Sequence, residues 1–160
     1  MEIQLGRVVS GAAGRRTGKL AGKKDGPEEA LLREYADRLE HFCHWRQTVF
    51  ATEDALLAGC ERAAGRTRPY LVLLDSRGKQ MSSEALAAWL GQQQDTGAQR
   101  LVFAIGPADG WSEGARQRAN LLLSLGPMTL PHGLAAVVLA EQIYRAFSIL
   151  KGLPYHLGHL

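Results

Sequence analysis

The stretch that decides the fold is Leu125-Gly126-Pro127-Met128-Thr129-Leu130-Pro131-His132, which is followed by a long apolar run. A Gly-Pro turn before such a run predicts a loop that leads into a helix over residues 134–150. The helix also carries Glu141, Tyr144 and Arg145. Polar groups in a core helix need partners, and clusters of this kind often mark sites. We therefore expect a functional site in the last forty residues.

Upstream of this segment, apolar runs alternate with helical patterns. Strands are predicted over residues 2–9, 45–51, 69–75, 100–105 and 121–125. Helices are predicted after Pro27, over residues 53–64, from Ser82 or Ser83 to residue 93, and, as a short helix, after Ser112. A turn is expected over residues 76–79. This alternation predicts an α/β fold in which a mostly parallel sheet is flanked by helices.

Composition limits the class of protein. A chain of 160 residues with 46% hydrophobic and 22% charged residues is typical of one globular domain, here spanning residues 1–160. No uninterrupted apolar run reaches the roughly 18–20 residues of a membrane span, so no membrane is expected as a partner. Two cysteines, Cys43 and Cys60, indicate a reducing compartment such as the cytoplasm.

Positive charge is concentrated in a glycine-rich loop at residues 11–26. This loop carries five basic residues and one acidic residue, Asp25. It cannot build a core. Two interpretations remain open: a solvated surface loop, or an arm that neutralises RNA phosphates.

Glycines follow three of the predicted strands, at Gly78, Gly106 and Gly126. Open parallel sheets bind ligands beyond the carboxyl ends of their strands, and glycine lets the backbone approach a ligand closely. No G-x-G-x-x-G motif follows the first strand, and the chain has no P-loop motif. The pattern therefore predicts a nucleoside-type pocket without specifying a reaction.

Other conspicuous residues have plainer interpretations. The spacing of His41, Cys43 and His44 matches no standard metal site, so no metal is expected. We expect His132 to be a packing or capping residue, Asp75 a turn cap, and Met128 both a pocket wall and a core residue. The tryptophans are expected to be core or interface anchors: Trp45, Trp89 and Trp111.

Several motifs together resemble one known family. They are Glu34-Tyr35-Ala36-Asp37-Arg38-Leu39, Leu74-Asp75-Ser76-Arg77-Gly78-Lys79, Phe103-Ala104-Ile105-Gly106 with Gly110, and the segment 128–156, which contains Met-Thr-Leu-Pro-His and Glu-Gln-Ile-Tyr-Arg-Ala. On these motifs the chain resembles the SPOUT-class 23S rRNA (pseudouridine-N3)-methyltransferases, the ribosomal RNA large subunit methyltransferase H family. The resemblance implies a C-terminal trefoil knot and tail over about residues 121–160. It also implies S-adenosylmethionine as cofactor, and a cytoplasmic homodimer that acts on rRNA of the assembled ribosome, with active sites at the dimer interface.

The resemblance also implies site residues. The cofactor contacts map onto Leu74, Gly106, Leu125, Gly126, Pro127, Met128, Thr129 and Leu130. Tyr155 and His156, in a tail expected to fold over the pocket, would orient the base or assist proton removal. Arg145 would stabilise the developing anion or hold a phosphate. Glu141 would pair with Arg145 one helical turn away, and such a pair is also compatible with a purely structural role for both.

Three positions depart from the family pattern. Pro107 stands where a second glycine is expected, Ala136 where an arginine is expected, and Leu157 where a basic residue is expected. Two alternatives to the family reaction therefore remain: a noncatalytic relative that binds ribosomes, and a methyltransferase with a changed RNA target.

Overall fold

The computed structural model describes residues 1–9, 26–62 and 67–157, with only the backbone of His156. All but residue 26 of the predicted basic loop at residues 11–26 lies outside the described residues. The elements, in chain order, are β1 Glu2–Val8, α1 Pro27–Leu39, β2 His44–Phe50, α2 Glu53–Arg62, β3 Tyr70–Gln80, α3 Ser83–Asp95, β4 Arg100–Ile105, α4 Glu113–Arg118, β5 Leu121–Ser124 and α5 His132–Leu150. A short 3₁₀ helix follows at Pro154–His156.

In the described part of the chain, five strands form one sheet in the order β2-β1-β4-β3-β5, and every pairing is parallel. The predicted parallel α/β fold is therefore confirmed. Ile105 at the end of β4 pairs with Arg7 of β1 and with Leu74 of β3. The carboxyl ends of β1 and β4 consequently lie beside the middle of β3, at Leu74, at one edge of the sheet. The trefoil knot and the single domain over residues 1–160 stay predictions.

Helices cover both faces of the sheet because each strand alternates its side chains between the faces. On one face Ile3 and Leu5 belong to the core beneath α1, α3 and α5, together with Phe103 and Phe147. On the other face Val102 and Ala104 pack with residues of α2 and α4. Trp45 and Trp111 are buried, and Trp89 packs edge-on against Tyr70 and Phe103.

The α5 helix is long and apolar enough to cross a membrane when judged by length and composition alone. Half of the 18-residue window that meets this test is buried inside the fold, and α5 packs against α1 and α3. A buried core helix needs the same apolar composition, because most of its faces contact other apolar side chains. This packing supports the interpretation of α5 as the core helix of a folded domain.

The predicted turn at residues 76–79 is wrong, because β3 continues to Gln80. Both Leu74 and Lys79 pair with Leu123 of β5, with an irregularity between them. Gly78 lies so close to β5 that a Cβ atom there would stand 2.6 Å from the carbonyl carbon of Leu122. Pairing with a strand more than forty residues away keeps this segment extended.

The close approach of β3 and β5 predicts that Gly78→Ala destabilises the fold. The added methyl group would meet backbone atoms, which cannot rotate away, and the free energy of unfolding should fall by about 3 kcal/mol. Gly114→Ala in α4 is the matched control, because the nearest atom to its added Cβ is Ser112 Oγ at 3.8 Å. Urea unfolding of both variants measures the difference. Equal urea midpoints for Gly78→Ala and wild type would contradict this prediction, because β3 and β5 would then be able to move apart at little cost in free energy.

Candidate active site

A cavity of about 600 Å³ lies beyond the carboxyl ends of β4 and β5 and beside the middle of β3. Its wall includes strand ends and the segment that precedes α5. Seven of the eight residues predicted to contact a cofactor line it: Leu74, Gly106, Leu125, Gly126, Met128, Thr129 and Leu130. Pro127, the eighth, is not among the lining residues. Residues from three separate parts of the sequence thus meet where a parallel sheet binds ligands.

A larger cavity, of about 730 Å³, lies at the opposite edge of the sheet. Its lining includes Tyr70 and Arg100, the first residues of β3 and β4. In parallel sheets ligands bind at the carboxyl ends of strands. Gly106 and Gly126, the glycines that follow β4 and β5, line the smaller cavity. We therefore take the smaller cavity as the candidate cofactor site.

Trp111 forms part of the cavity wall and supports Gly106 from behind. Its indole Nε1 donates a hydrogen bond to the carbonyl oxygen of Leu74 at 2.9 Å. A Cβ atom added at Gly106 would lie 2.7 Å from the indole Cε2 atom. Trp111 thereby connects the middle of β3 with the end of β4. The sequence places Trp111 only in the core or at an interface. Its position directly after Gly110 is the signal that could have identified it as part of the cavity wall.

Gly126 begins the loop between β5 and α5 with a φ of +122°. Residues with a side chain rarely adopt this backbone conformation. Ser124 Oγ accepts a hydrogen bond from the Gly126 amide at 3.1 Å and donates one to its carbonyl at 3.2 Å. Met128, further along the loop, is 82% exposed. The prediction that Met128 is a core residue is wrong, because the loop carries its side chain to the rim of the cavity.

Asp75 brings a carboxylate to the cavity wall. Its oxygens accept hydrogen bonds from the Arg77 amide at 2.9 Å and from Arg116 Nε at 2.6 Å. Asp75 thus bonds to the backbone two residues ahead, as a capping residue would, but it does so within the continuing strand β3 and not at a turn. Burial acts to raise the pKa of Asp75, but these hydrogen bonds and the charges of both arginines hold it below its ordinary value. Asp75 is consequently a paired anion at neutral pH.

His132 is the first residue of α5 and also lines the cavity. Its Nε2 atom is buried and has no hydrogen-bond partner. Burial lowers the pKa of His132, and the charge of Arg7 lowers it further. Hydrogen bonding to the Gly106 backbone and the charge of Glu29 act in the opposite direction. The ring is therefore neutral near pH 7, and His132 contributes to the cavity wall, a position that the predicted packing or capping role did not include.

Three of the predicted catalytic residues, Glu141, Arg145 and Tyr155, form a second group with Tyr35 of α1 and Tyr144 of α5. We call these five residues the C-terminal cluster. Glu141 Oε1 accepts hydrogen bonds from Arg145 Nη2 at 2.6 Å and from the Tyr155 hydroxyl at 3.2 Å. The Tyr155 hydroxyl also lies 3.3 Å from that of Tyr35. The predicted Glu141–Arg145 pair is present.

Tyr155 is held between aromatic and charged groups. Its ring meets the Tyr144 ring edge-on, with centroids 4.7 Å apart, and Arg145 Cζ lies 5.0 Å from its centroid. Burial and the hydrogen bond to Tyr35 raise the pKa of Tyr155, and the charge of Glu141 adds to this. The phenol therefore stays protonated at neutral pH. This protonation state suits a hydrogen-bond donor that orients a base, and it does not suit a proton acceptor.

Within one chain the C-terminal cluster and the cavity are apart. Ala135 lines the cavity, whereas Glu141 and Arg145 are six and ten residues further along α5. These steps correspond to about 9 and 15 Å along the helix axis. Within its own chain Tyr155 packs on Tyr144 of α5 and bonds to Tyr35 of α1, away from the cavity. The expectation that the tail folds over a pocket stays a prediction. The side chain of His156 lies outside the described residues.

The three departures from the family pattern occupy different environments. Pro107 lines the cavity, directly after Gly106. Ala136 is fully buried in the core beneath α5. Leu157 is 64% exposed.

Metal chemistry receives no support from the described residues. Among them no three His, Cys, Asp or Glu side chains are grouped so that they could hold a metal ion. Burial raises the pKa of the Cys43 thiol to about 12, with a smaller contribution from Glu40. Because the thiolate is the form that binds metal, Cys43 is a poor ligand.

Comparisons with known proteins bear on the family of this chain. A family model described as "Predicted SPOUT methyltransferase" matches residues 18–156. The ribosomal RNA large subunit methyltransferase H of Koribacter versatilis is 49% identical over 136 residues, covering 85% of this chain and 92% of the relative. The protein of the same name from Maricaulis maris is 39% identical over 156 residues, covering 88% and 97%.

Among solved structures, the SpoU methyltransferase AviRb from Streptomyces viridochromogenes, in complex with the cofactor AdoMet, aligns with a TM-score of 0.47 at 12% identity. The alignment covers 91% of this chain and 57% of that one, and the likeness is too distant to bear on the site. The family match and the two close relatives decide the assignment. This chain belongs to the SPOUT methyltransferase family.

Proposed function

We propose that this protein transfers a methyl group from S-adenosylmethionine to N3 of a pseudouridine in 23S rRNA, acting in the cytoplasm on the assembled ribosome. The observation that carries the proposal is the meeting of Leu74, Gly106 and the segment 125–130 at one cavity. Both close relatives are named ribosomal RNA large subunit methyltransferase H, and this name supports large-subunit rRNA as the substrate.

The cavity fits this cofactor by size and chemistry. A volume of about 600 Å³ is typical of small-molecule sites. Apolar walls formed by leucines and Trp111 suit an adenine ring, and backbone groups at Gly106 and Gly126 are accessible to polar atoms of a ligand. The described ionisable residues of the lining are Asp75 and His132. When bound, the cofactor supplies an activated methyl group on a positively charged sulfur atom.

The C-terminal cluster supplies groups that act on the nucleotide. N3–H of a uracil-type ring is a weak acid, so its loss is favoured by a nearby cation. The hydrogen bond to Glu141 raises the pKa of Arg145, so Arg145 stays charged, and its side chain is 18% exposed. Arg145 would stabilise the nucleotide anion, and Glu141 would hold the guanidinium in place. Tyr155 would donate a hydrogen bond that orients the ring.

The cluster and the cavity have to meet for this reaction, and a homodimer would bring them together. We propose that the cluster of one protomer faces the cavity of its partner. Support comes from their separation along α5 and from large apolar side chains exposed on α1, α5 and the tail: Leu31, Leu134, Leu153 and Leu157. Exposed apolar groups of this kind are typical of protein interfaces.

A noncatalytic ribosome-binding relative is the second candidate. The burial of Ala136 favours it, because this position brings no cation to the site, and Leu157 likewise supplies no charge to the tail. A methyltransferase with a changed RNA target fits the same two observations.

Methyl transfer to ribosomes tests the proposed function. Purified protein is incubated with labelled S-adenosylmethionine and ribosomes from a strain lacking this modification, followed by nucleoside mass spectrometry. We expect N3-methylpseudouridine. Label in another nucleoside would indicate a changed target, and cofactor binding without transfer would indicate the noncatalytic relative.

A further inference from the structure

Gln142 in α5 is a half-buried side chain for which the proposed reaction has no role. Its amide bonds to two other side chains. The hydroxyl of Ser83, the first residue of α3, donates a hydrogen bond to Gln142 Oε1 at 2.6 Å. Gln142 Nε2 donates one to Glu141 Oε2 at 2.7 Å. Because a carboxylate only accepts hydrogen bonds, the amide nitrogen has to face Glu141, and the amide oxygen is then left for Ser83.

The two oxygens of Glu141 are thereby divided between different partners. Oε1 accepts hydrogen bonds from Arg145 and Tyr155, whereas Oε2 accepts one from Gln142. Adjacent residues of a helix point in different directions and do not normally face each other. The contact between Glu141 and Gln142 is therefore not a product of the helix alone. Ser83, on the neighbouring helix α3, holds the amide in the position that the contact needs.

We propose that Gln142 is a positioning residue that acts through Glu141. Anchored by Ser83, its amide fixes the plane of the Glu141 carboxylate. Oε1 then stays directed at Arg145 and Tyr155 while the nucleotide binds and reacts. Groups that are held in place before the reaction need not be ordered during it, which lowers the barrier. The inference rests on the proposed function, in which Arg145 and Tyr155 act on the nucleotide.

A small cavity offers an alternative role for Gln142, which the test has to separate from the first. Gln142 lines a cavity of about 340 Å³, and Leu123, Leu125 and Gly126 line both this cavity and the cofactor cavity. A change at Gln142 that disturbed Gly126 would weaken cofactor binding. A change that released Glu141 would instead slow methyl transfer at saturating cofactor. The comparison of Kd with the rate therefore distinguishes the two roles.

Single-turnover methylation of ribosomes at saturating cofactor measures the rate. Gln142→Met keeps the length of the side chain without its hydrogen bonds, and we expect it to lower the rate about tenfold with Kd for S-adenosylmethionine unchanged. Ser83→Ala should lower the rate about threefold, and should cost nothing further when added to Gln142→Met, because it acts only through the glutamine. Gln92→Met, the same change at an exposed position of α3, is the matched control and should equal wild type.

Gln142→Glu supplies a readout that a loss of packing would not produce. It keeps the size of the side chain but places a second carboxyl group against Glu141 Oε2, and two carboxyls in contact share one proton. While this proton is present, an O–H group replaces the amide donor, and once it is lost the two carboxylates repel each other. From about pH 6 to 8.5 the ratio of variant to wild-type rate should therefore fall from near one to about one tenth. The titratable groups bonded to Glu141 or to Tyr155, which are Arg145, Tyr155 and Tyr35, are the same in both proteins.

NMR of the glutamine side-chain amides tests the geometry without methyl transfer. The Gln142 signal is identified by its absence in Gln142→Glu. We expect its amide hydrogens to exchange with water at least about tenfold more slowly than those of Gln92. Ser83→Ala and Glu141→Ala should each remove this protection.

Exchange as fast at Gln142 as at Gln92 would overturn the inference. So would weaker cofactor binding in Gln142→Met with an unchanged rate at saturation, or a rate ratio for Gln142→Glu that does not change with pH. If Gln142→Met does not fold, Ser83→Ala and Gln142→Glu still give the rates. If wild type methylates no ribosomes, the proposed function is wrong, and amide exchange still decides whether Gln142 holds Glu141. If wild type is active and the variants keep its rate, only the role of Gln142 is wrong.

Discussion

Gly106→Ala is expected to weaken the binding of S-adenosylmethionine by at least about a hundredfold. The added Cβ atom would lie 2.7 Å from the Trp111 ring, which is 4% exposed. Displacing the ring would break its hydrogen bond to Leu74, so two predicted contact positions would move together. Isothermal titration calorimetry measures the loss.

The matched control for this change is Gly114→Ala, which adds the same methyl group to the α4 helix near the cavity with no atom closer than 3.8 Å. Its affinity should equal that of wild type. Thermal unfolding shows whether each variant is folded. A folded Gly106→Ala protein that binds the cofactor normally would contradict the assignment of this cavity.

Arg145→Ala is expected to lower kcat by about 10²- to 10³-fold while leaving cofactor affinity unchanged. The Arg145 guanidinium bonds to Glu141 within the C-terminal cluster and is not part of the cavity wall. Its removal should therefore affect the reacting nucleotide and not the cofactor. Single-turnover methylation of ribosomes measures the rate. Lys151→Ala, which removes an exposed charge just after the same helix, controls for loss of charge alone. A weaker cofactor affinity in Arg145→Ala would place Arg145 at the cavity instead.

Mixed dimers then show which chain supplies each part. A dimer of one Gly106→Ala chain and one Arg145→Ala chain keeps an intact cavity in one protomer and an intact cluster in the other. If the two parts meet across the interface, one complete site forms, with about half of the wild-type activity per dimer. Inactive mixed dimers would contradict the shared site, since each chain would then have to use its own two parts. Differently tagged chains allow the mixed species to be purified.

The alternation of strands and helices was readable from the sequence because it depends on local patterns. An apolar run that ends in Asp75 predicted β3, and apolar runs that are followed by Gly106 and Gly126 predicted β4 and β5. The parallel sheet then placed Leu74, Gly106 and the segment 125–130 at one edge. Parallel strands carry their carboxyl ends to the same side, so this clustering needs no knowledge of side-chain packing. The resemblance to a family added the identity of the cofactor, which periodicity alone did not provide.

Contacts between distant parts of the chain decided the rest. Residues 76–79 read as a turn, yet pairing with β5 keeps them extended. Met128 reads as a core residue, yet the loop leaves it exposed. No local pattern showed where Tyr155 packs within its own chain, and the structure places its hydroxyl 3.3 Å from that of Tyr35, 120 residues away. The sequence by itself thus determined which elements form and which strand ends meet. Only the tertiary structure decided that Trp111 and His132 form the cavity wall and that the C-terminal cluster lies elsewhere, because each of these placements depends on packing between elements far apart in the chain.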